Sequence, residues 1–167
     1  MIHLVTGGER SGKSAYAQSL AKSLAGNPVY LATAKIWDED FEDRVSRHRS
    51  DRDESWETIE EQTQLGSVLP TGRVVVIDCV TLWLTNYFSQ YDYDKEKSLK
   101  AAKEEFDKIK DYEGTLLIIT NEIGMGVHAE RKTGRDFVEL QGWMNQYIAS
   151  HADNVTLMVS GLPLKVK

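Results

Sequence analysis

One cysteine, three prolines and a deficit of basic residues are the scarcities of this 167-residue chain. Cys79 alone cannot form an internal disulfide, so no covalent staple of the kind used by small exported domains is available. It follows a β-branched run and reads as a small buried core residue rather than a nucleophile. No basic segment followed by an apolar run opens the sequence, and a cytoplasmic location is expected. No apolar stretch approaches bilayer length, since even residues 74–84 are interrupted by Asp78. Against 26 aspartates and glutamates stand only 20 lysines and arginines, a net charge of −6, which argues against a broad nucleic-acid-binding face. With 41% hydrophobic residues the length suits one domain, residues 1–167, without repeats or low-complexity segments.

What the chain does have is alternation. Apolar runs at residues 2–6, 29–33, 74–78, 115–120 and 155–160 read as strands, with a further short strand at 56–59. Between them lie stretches with helical spacing at 13–24, 38–52, 81–88, 95–111 and 135–151. Strands alternating with helices predict an α/β fold with a mostly parallel sheet flanked by helices.

Directly after the first strand comes Gly7-Gly8-Glu9-Arg10-Ser11-Gly12-Lys13-Ser14, which fits the phosphate-loop pattern G-x-x-x-x-G-K-[ST]. A loop whose backbone N–H groups all point at phosphate oxygens needs positions free of Cβ restrictions, and the three glycines supply them. Lys13 would reach the terminal phosphates, the Ser14 hydroxyl would hold Mg²⁺, and the following helix would aim its positive end at the anion. The fold expected is therefore P-loop NTPase-like, and the ligand a nucleotide.

In open α/β sheets ligands sit beyond the carboxyl ends of the strands. The residues there are polar: Thr33, Ala34 and Lys35 after the second run, Asp78 ending the third, Asn121 and Glu122 after the fourth. Asp78 reads as a carboxylate organising Mg²⁺, as the N-cap of the next helix, or as both. Glu122 is a second acid or a loop residue, and Lys35 a phosphate contact or a solvated side chain. His3 in the first strand reads as structural, and core packing is expected for Trp37, Trp83, Tyr87 and Trp143.

Residues 38–54 are dense in both charge signs. On a helix Arg44, His48 and Arg52 fall four apart on one face, with Arg47 and Arg49 bracketing the imidazole. Several cations there would neutralise a triphosphate and hold the histidine in its neutral, nucleophilic form. The same stretch also contains i,i+4 pairs, Asp40 with Arg44 and Asp43 with Arg47, that suit a solvated helix.

Val5 through Ser14, Tyr30-Leu31-Ala32-Thr33-Ala34, Arg44 through Arg52 with Trp56, Thr120-Asn121-Glu122-Ile123-Gly124-Met125-Gly126 and the closing Val159-Ser160-Gly161-Leu162-Pro163-Leu164-Lys165 together resemble the bifunctional adenosylcobinamide kinase / adenosylcobinamide-phosphate guanylyltransferase family. The resemblance covers essentially the whole chain. It implies phosphorylation of adenosylcobinamide, then transfer of GMP from GTP to that phosphate through a guanylylated histidine, in cobalamin biosynthesis. It makes His48 the covalent nucleophile, Gly7 to Ser14 the triphosphate loop, and Thr33, Ala34, Lys35, Arg49, Ser50, Asp51, Arg52, Glu60 and Asp78 nucleotide contacts. Mg²⁺, GTP, and ATP or GTP as phosphoryl donor are the implied cofactors. A homo-oligomer, a propeller-shaped trimer in the family, is the implied assembly, with small-molecule substrates and no nucleic-acid or membrane partner. Some relatives carry two adjacent histidines where this chain has Arg47-His48, which leaves His48 alone for the role. Glu9 and Asp78 replace an alanine and a glutamate of other members.

The alternative among enzymes is a P-loop small-molecule kinase with no covalent nucleotide. A GTP-dependent switch is disfavoured, because no N-K-x-D element appears and Asp78-Cys79-Val80-Thr81 lacks the glycine of a D-x-x-G turn.

Overall fold

The computed structural model describes residues 1–35 and 53–167. The helix expected over 38–52, with His48 and Arg49 to Arg52, lies outside the described residues, as does Trp37. Within them the chain runs β1 (Ile2–Gly7), α1 (Lys13–Leu24), β2 (Val29–Ala32), β3 (Glu57–Glu60), a 3-10 turn (Leu65–Ser67), β4 (Val74–Asp78), α2 (Val80–Gln90), α3 (Lys95–Ile109), β5 (Thr115–Ile119), α4 (Lys132–His151), β6 (Asn154–Val159) and β7 (Leu162–Lys165).

The strands form a seven-stranded sheet in the order β3-β2-β4-β5-β1-β6-β7. Every pairing is parallel except the closing β6–β7 hairpin. This is the α/β, mostly parallel sheet flanked by helices that the alternation predicts.

Strands in the middle of such a sheet are buried on both faces, which is why β4 and β5 read as unbroken apolar runs. Their side chains nonetheless sort by parity. Val5, Tyr30, Val76, Leu117 and Ile119 pack with Ala17 and Ala21 of α1 on one face. Leu4, Leu31, Val75, Ile77, Leu116 and Ile118 pack on the other, against Trp83 and Leu84 of α2, Phe106 of α3 and Leu140 and Met144 of α4. Small alanines on α1 let that helix lie close to the sheet, directly behind the loop that precedes it.

Trp83 and Tyr87 are buried, as core packing requires, whereas Trp143 is 39% exposed and does not fill the core. Its ring instead lies under the Lys95 ammonium, 5.5 Å from Nζ to the ring centroid. A helix face with a long lysine nearby can shelter an aromatic without burying it. At the far edge β7 leaves Leu162 and Leu164 exposed. Among the described residues no helix is long and apolar enough to cross a membrane.

Candidate functional site

The loop between β1 and α1 takes a conformation that depends on its glycines. Gly7 has φ +151° and Gly12, the N-cap of α1, has φ +94°, both outside the region that side-chain-bearing residues prefer. A Cβ on Gly7 would sit 2.7 Å from the Met158 carbonyl oxygen, and one on Gly12 3.2 Å from Gly161 Cα. The β6–β7 turn therefore supports the loop from behind, and the Gly161 N–H donates to the Ser11 carbonyl at 3.0 Å. Arg10 in the same loop is also at positive φ (54°). The result places the open N-terminus of a three-turn helix, with its unpaired N–H groups and positive dipole end, beside the loop.

Lys13 opens that helix, and its ammonium folds back to donate to the Gly8 carbonyl at 2.6 Å and to Ser11 Oγ at 3.5 Å. Burial lowers its pKa from the ordinary lysine value, an effect opposed in part by the carboxylates of Asp78 and Glu9. A buried ammonium with so few oxygen partners is matched to an anion.

Ser14 faces the end of β4. Its hydroxyl donates to Asp78 Oδ2 at 3.0 Å, and the Tyr30 hydroxyl donates to the same oxygen at 2.6 Å. A hydroxyl and a carboxylate in contact form an oxygen pair suited to a hard divalent cation that keeps most of its waters. Among the described residues no three histidine, cysteine, aspartate or glutamate side chains cluster as metal ligands.

Asp78 is not the side-chain cap of α2. The N-cap position is Cys79, where no side-chain cap bond is made, and the Asp78 carboxylate is turned toward Ser14 and Tyr30. Cys79 is buried, and burial pushes its thiol up to about 12, so it stays protonated and inert.

Thr33 is fully buried behind the site. Its hydroxyl donates to the Cys79 carbonyl at 2.8 Å and accepts from the Cys79 N–H at 2.9 Å, while its own N–H donates to the Asp78 carbonyl at 3.0 Å. In this arrangement it holds the backbone at Asp78 rather than reaching the cleft. Glu60 pairs in register with Ala32, and Ala32 with Asp78, so the three mark the carboxyl ends of neighbouring strands. Lys35 is exposed just beyond β2. Glu122 accepts from the Gly124 N–H at 2.9 Å, shaping its own loop. His3 is structural, its Nε2 2.8 Å from Thr156 Oγ1 inside the sheet.

The loop, Asp78 and Asn121 enclose one cleft. A cavity of about 500 Å³ is lined by Glu9, Arg10, Ser11, Gly12, Lys13, Ser14, Ala15, Asp78, Cys79, Ile119 and Asn121. Its volume is in the range of small-ligand sites.

Sequence reasoning gave Tyr30 no role. A signal was present once β2 is paired beside β4: Tyr30 lies opposite Val76, which puts Asp78 on the same face at the diagonal position. Such diagonals are within reach of an aromatic side chain. Register, however, cannot be read from one strand alone.

Residues 3–166 match the family described as cobinamide kinase / cobinamide phosphate guanyltransferase, CobU. The chain is 35% identical over 176 residues to the bifunctional adenosylcobalamin biosynthesis protein CobP of Pseudomonas aeruginosa, covering 100% of this chain and 98% of that protein. It is 33% identical over 182 residues to the bifunctional adenosylcobalamin biosynthesis protein CobU of Escherichia coli, covering 100% of both. Among solved structures, the flagellar accessory protein FlaH from Methanocaldococcus jannaschii aligns over 99% of this chain and 77% of its own, at 13% identity and a TM-score of 0.49.

Proposed function

Because the chain belongs to the cobinamide kinase / cobinamide phosphate guanyltransferase family, we propose that its single phosphate loop serves both of the family's reactions, and that the second proceeds through a guanylylated His48. The observation that supports this most is the convergence of Lys13, Ser14 and Asp78 on one cavity in a chain that matches the family almost end to end.

In the first reaction the hydroxyl oxygen of adenosylcobinamide bonds to the γ-phosphorus of a nucleoside triphosphate. The bond to the bridging oxygen breaks, the nucleoside diphosphate leaves and the hydroxyl proton is released. Little covalent chemistry is asked of the protein, and positioning with charge stabilisation suffices. Lys13 and the loop N–H groups hold the phosphates. Mg²⁺ bound with the nucleotide supplies further charge neutralisation, and Ser14 and Asp78 are the residues that would hold it.

In the second, a neutral His48 nitrogen bonds to the α-phosphorus of GTP and pyrophosphate leaves. An oxygen of adenosylcobinamide phosphate then displaces the imidazole, giving adenosylcobinamide-GDP. Dividing one difficult transfer into two in-line displacements is the value of a covalent intermediate. Gly7 to Ser14, Ala34, Lys35, Arg49 to Arg52, Glu60 and Asp78 are the proposed nucleotide contacts, and Thr33 supports them by fixing the Asp78–Cys79 backbone. The proposed homo-oligomer, a trimer, would shelter the exposed apolar side chains of β7.

The test is incubation of the protein and of His48→Ala with Mg²⁺ and GTP, followed by intact-mass analysis before and after acid. A GMP-sized, acid-labile adduct absent from the variant supports the covalent route. A GTP-binding protein that forms no adduct contradicts it and leaves a P-loop kinase without a covalent nucleotide.

A further inference from the structure

β5 runs between β1, which leads into the phosphate loop, and β4, which ends in Asp78. The first residues beyond β5 are therefore delivered between Lys13 and Ser14 on one side and Asp78 on the other. Asn121 is among them and lines the same cavity.

Its backbone is held from two directions. The Asn121 N–H donates to Thr81 Oγ1 at 3.2 Å, and its carbonyl accepts from Asn145 Nδ2 at 3.2 Å. Behind it the Thr120 hydroxyl donates to Asn145 Oδ1 at 2.7 Å, and Gln141 Nε2 donates to both Thr120 Oγ1 and Asn145 Oδ1 at 2.9 Å. Thr120 and Gln141 are buried. A polar network on the middle of α4 thus fixes the position of one residue, while the Asn121 carboxamide makes no hydrogen bond among the described residues.

We propose that Asn121 is a catalytic residue of phosphoryl transfer, its side-chain NH₂ donating to the terminal phosphoryl group of the nucleoside triphosphate. This rests on the reading that Gly7 to Ser14 hold the triphosphate. A carboxamide is a donor that adds no charge and, held from behind, needs no reorganisation as charge shifts over the phosphoryl oxygens. The oxygen of the substrate hydroxyl still bonds to the γ-phosphorus, the bridging oxygen still leaves, and Asn121 gains or loses no proton. Its contact is to the terminal group, so once GTP is bound the transfer step at the α-phosphorus does not depend on it.

The experiment titrates GDP and the β,γ-imido analogue of GTP into the protein, Asn121→Ala and Asn121→Asp by calorimetry, and measures cobinamide phosphorylation and protein guanylylation for each. GDP affinity should stay within about twofold, which also reports that the variants fold. Analogue affinity should fall about tenfold in Asn121→Ala, the size expected for a hydrogen bond to a charged group, and further in Asn121→Asp, where a carboxylate meets the phosphate. Phosphorylation should fall by at least the same factor, and guanylylation, measured at saturating GTP, by less than about threefold. Equal weakening of GDP and analogue, or no change in either, overturns the proposal. If the unaltered protein binds neither ligand, the phosphate-loop assignment itself falls and takes this inference with it.

Discussion

The hydroxyl of Ser14, at the start of α1, donates to the carboxylate of Asp78, at the end of β4, across 3.0 Å. Residues 64 positions apart thereby form one oxygen pair, and Tyr30 fixes its orientation through the same carboxylate oxygen. Asp78→Asn keeps the shape of that pair and removes its charge. Nucleotide binding in EDTA should change little, while the gain in affinity on adding Mg²⁺ should largely vanish and turnover should drop at least about tenfold. Unchanged Mg²⁺ dependence in a fluorescent-nucleotide titration would exclude Asp78 from the metal site.

Gly7→Ala tests how the loop is supported. Its Cβ would lie 2.7 Å from the Met158 carbonyl oxygen at a φ of +151°, so β1 or β6 must shift. Urea unfolding should show a loss of more than about 2 kcal/mol, the scale of a forbidden backbone conformation combined with overpacking. Full stability would mean that β1 and β6 do not approach this closely at Gly7 and Met158.

Lys13 carries a pH signature. Burial holds its pKa below the ordinary 10.5. The buried ammonium weighs against folding wherever it is charged, and that cost is relieved as pH rises through the lowered pKa toward 10.5. Nucleotide binding has the opposite sign, because the phosphates need the charged form: affinity should fall over that same alkaline window. Lys13→Arg, whose guanidinium does not deprotonate, should lack this fall. Comparing the two proteins removes the nucleotide's own titration, and parallel profiles would count against Lys13 as a phosphate ligand.

Cys79 gives a folding probe free of competing thiols, since it is the only cysteine in the sequence. Buried, with its thiol raised to about 12, it should resist iodoacetamide at pH 8 in the native protein and react readily in urea. Rapid native labelling would show that the loop and β4 open far more often than this packing allows.

The strands and the phosphate loop were legible because both are local signals: an apolar run announces a buried strand, and Gly7 to Ser14 carry a fixed spacing. Ends moved by a few residues, α2 beginning at Val80 and α4 at Lys132. What periodicity does not encode is register between distant strands, so the bonds from Tyr30 to Asp78 and from Thr33 to Cys79 were invisible until β2 was laid beside β4. Aspartate's general preference for helix caps suggested one role for Asp78 that tertiary partners override. Trp143 shows the same limit in reverse, an aromatic at helical spacing that a lysine covers instead of the core.

The shared phosphate loop is tested most directly by supplying adenosylcobinamide, Mg²⁺ and GTP to the protein, to Lys13→Ala and to His48→Ala, and resolving the corrinoid products by mass. Lys13→Ala should accumulate neither the phosphate nor the GDP derivative beyond about one hundredth of the normal rate. His48→Ala should accumulate adenosylcobinamide phosphate at close to the normal rate and none of the GDP derivative. Loss of phosphorylation in His48→Ala, or survival of either reaction in Lys13→Ala, would contradict a single loop serving both transfers.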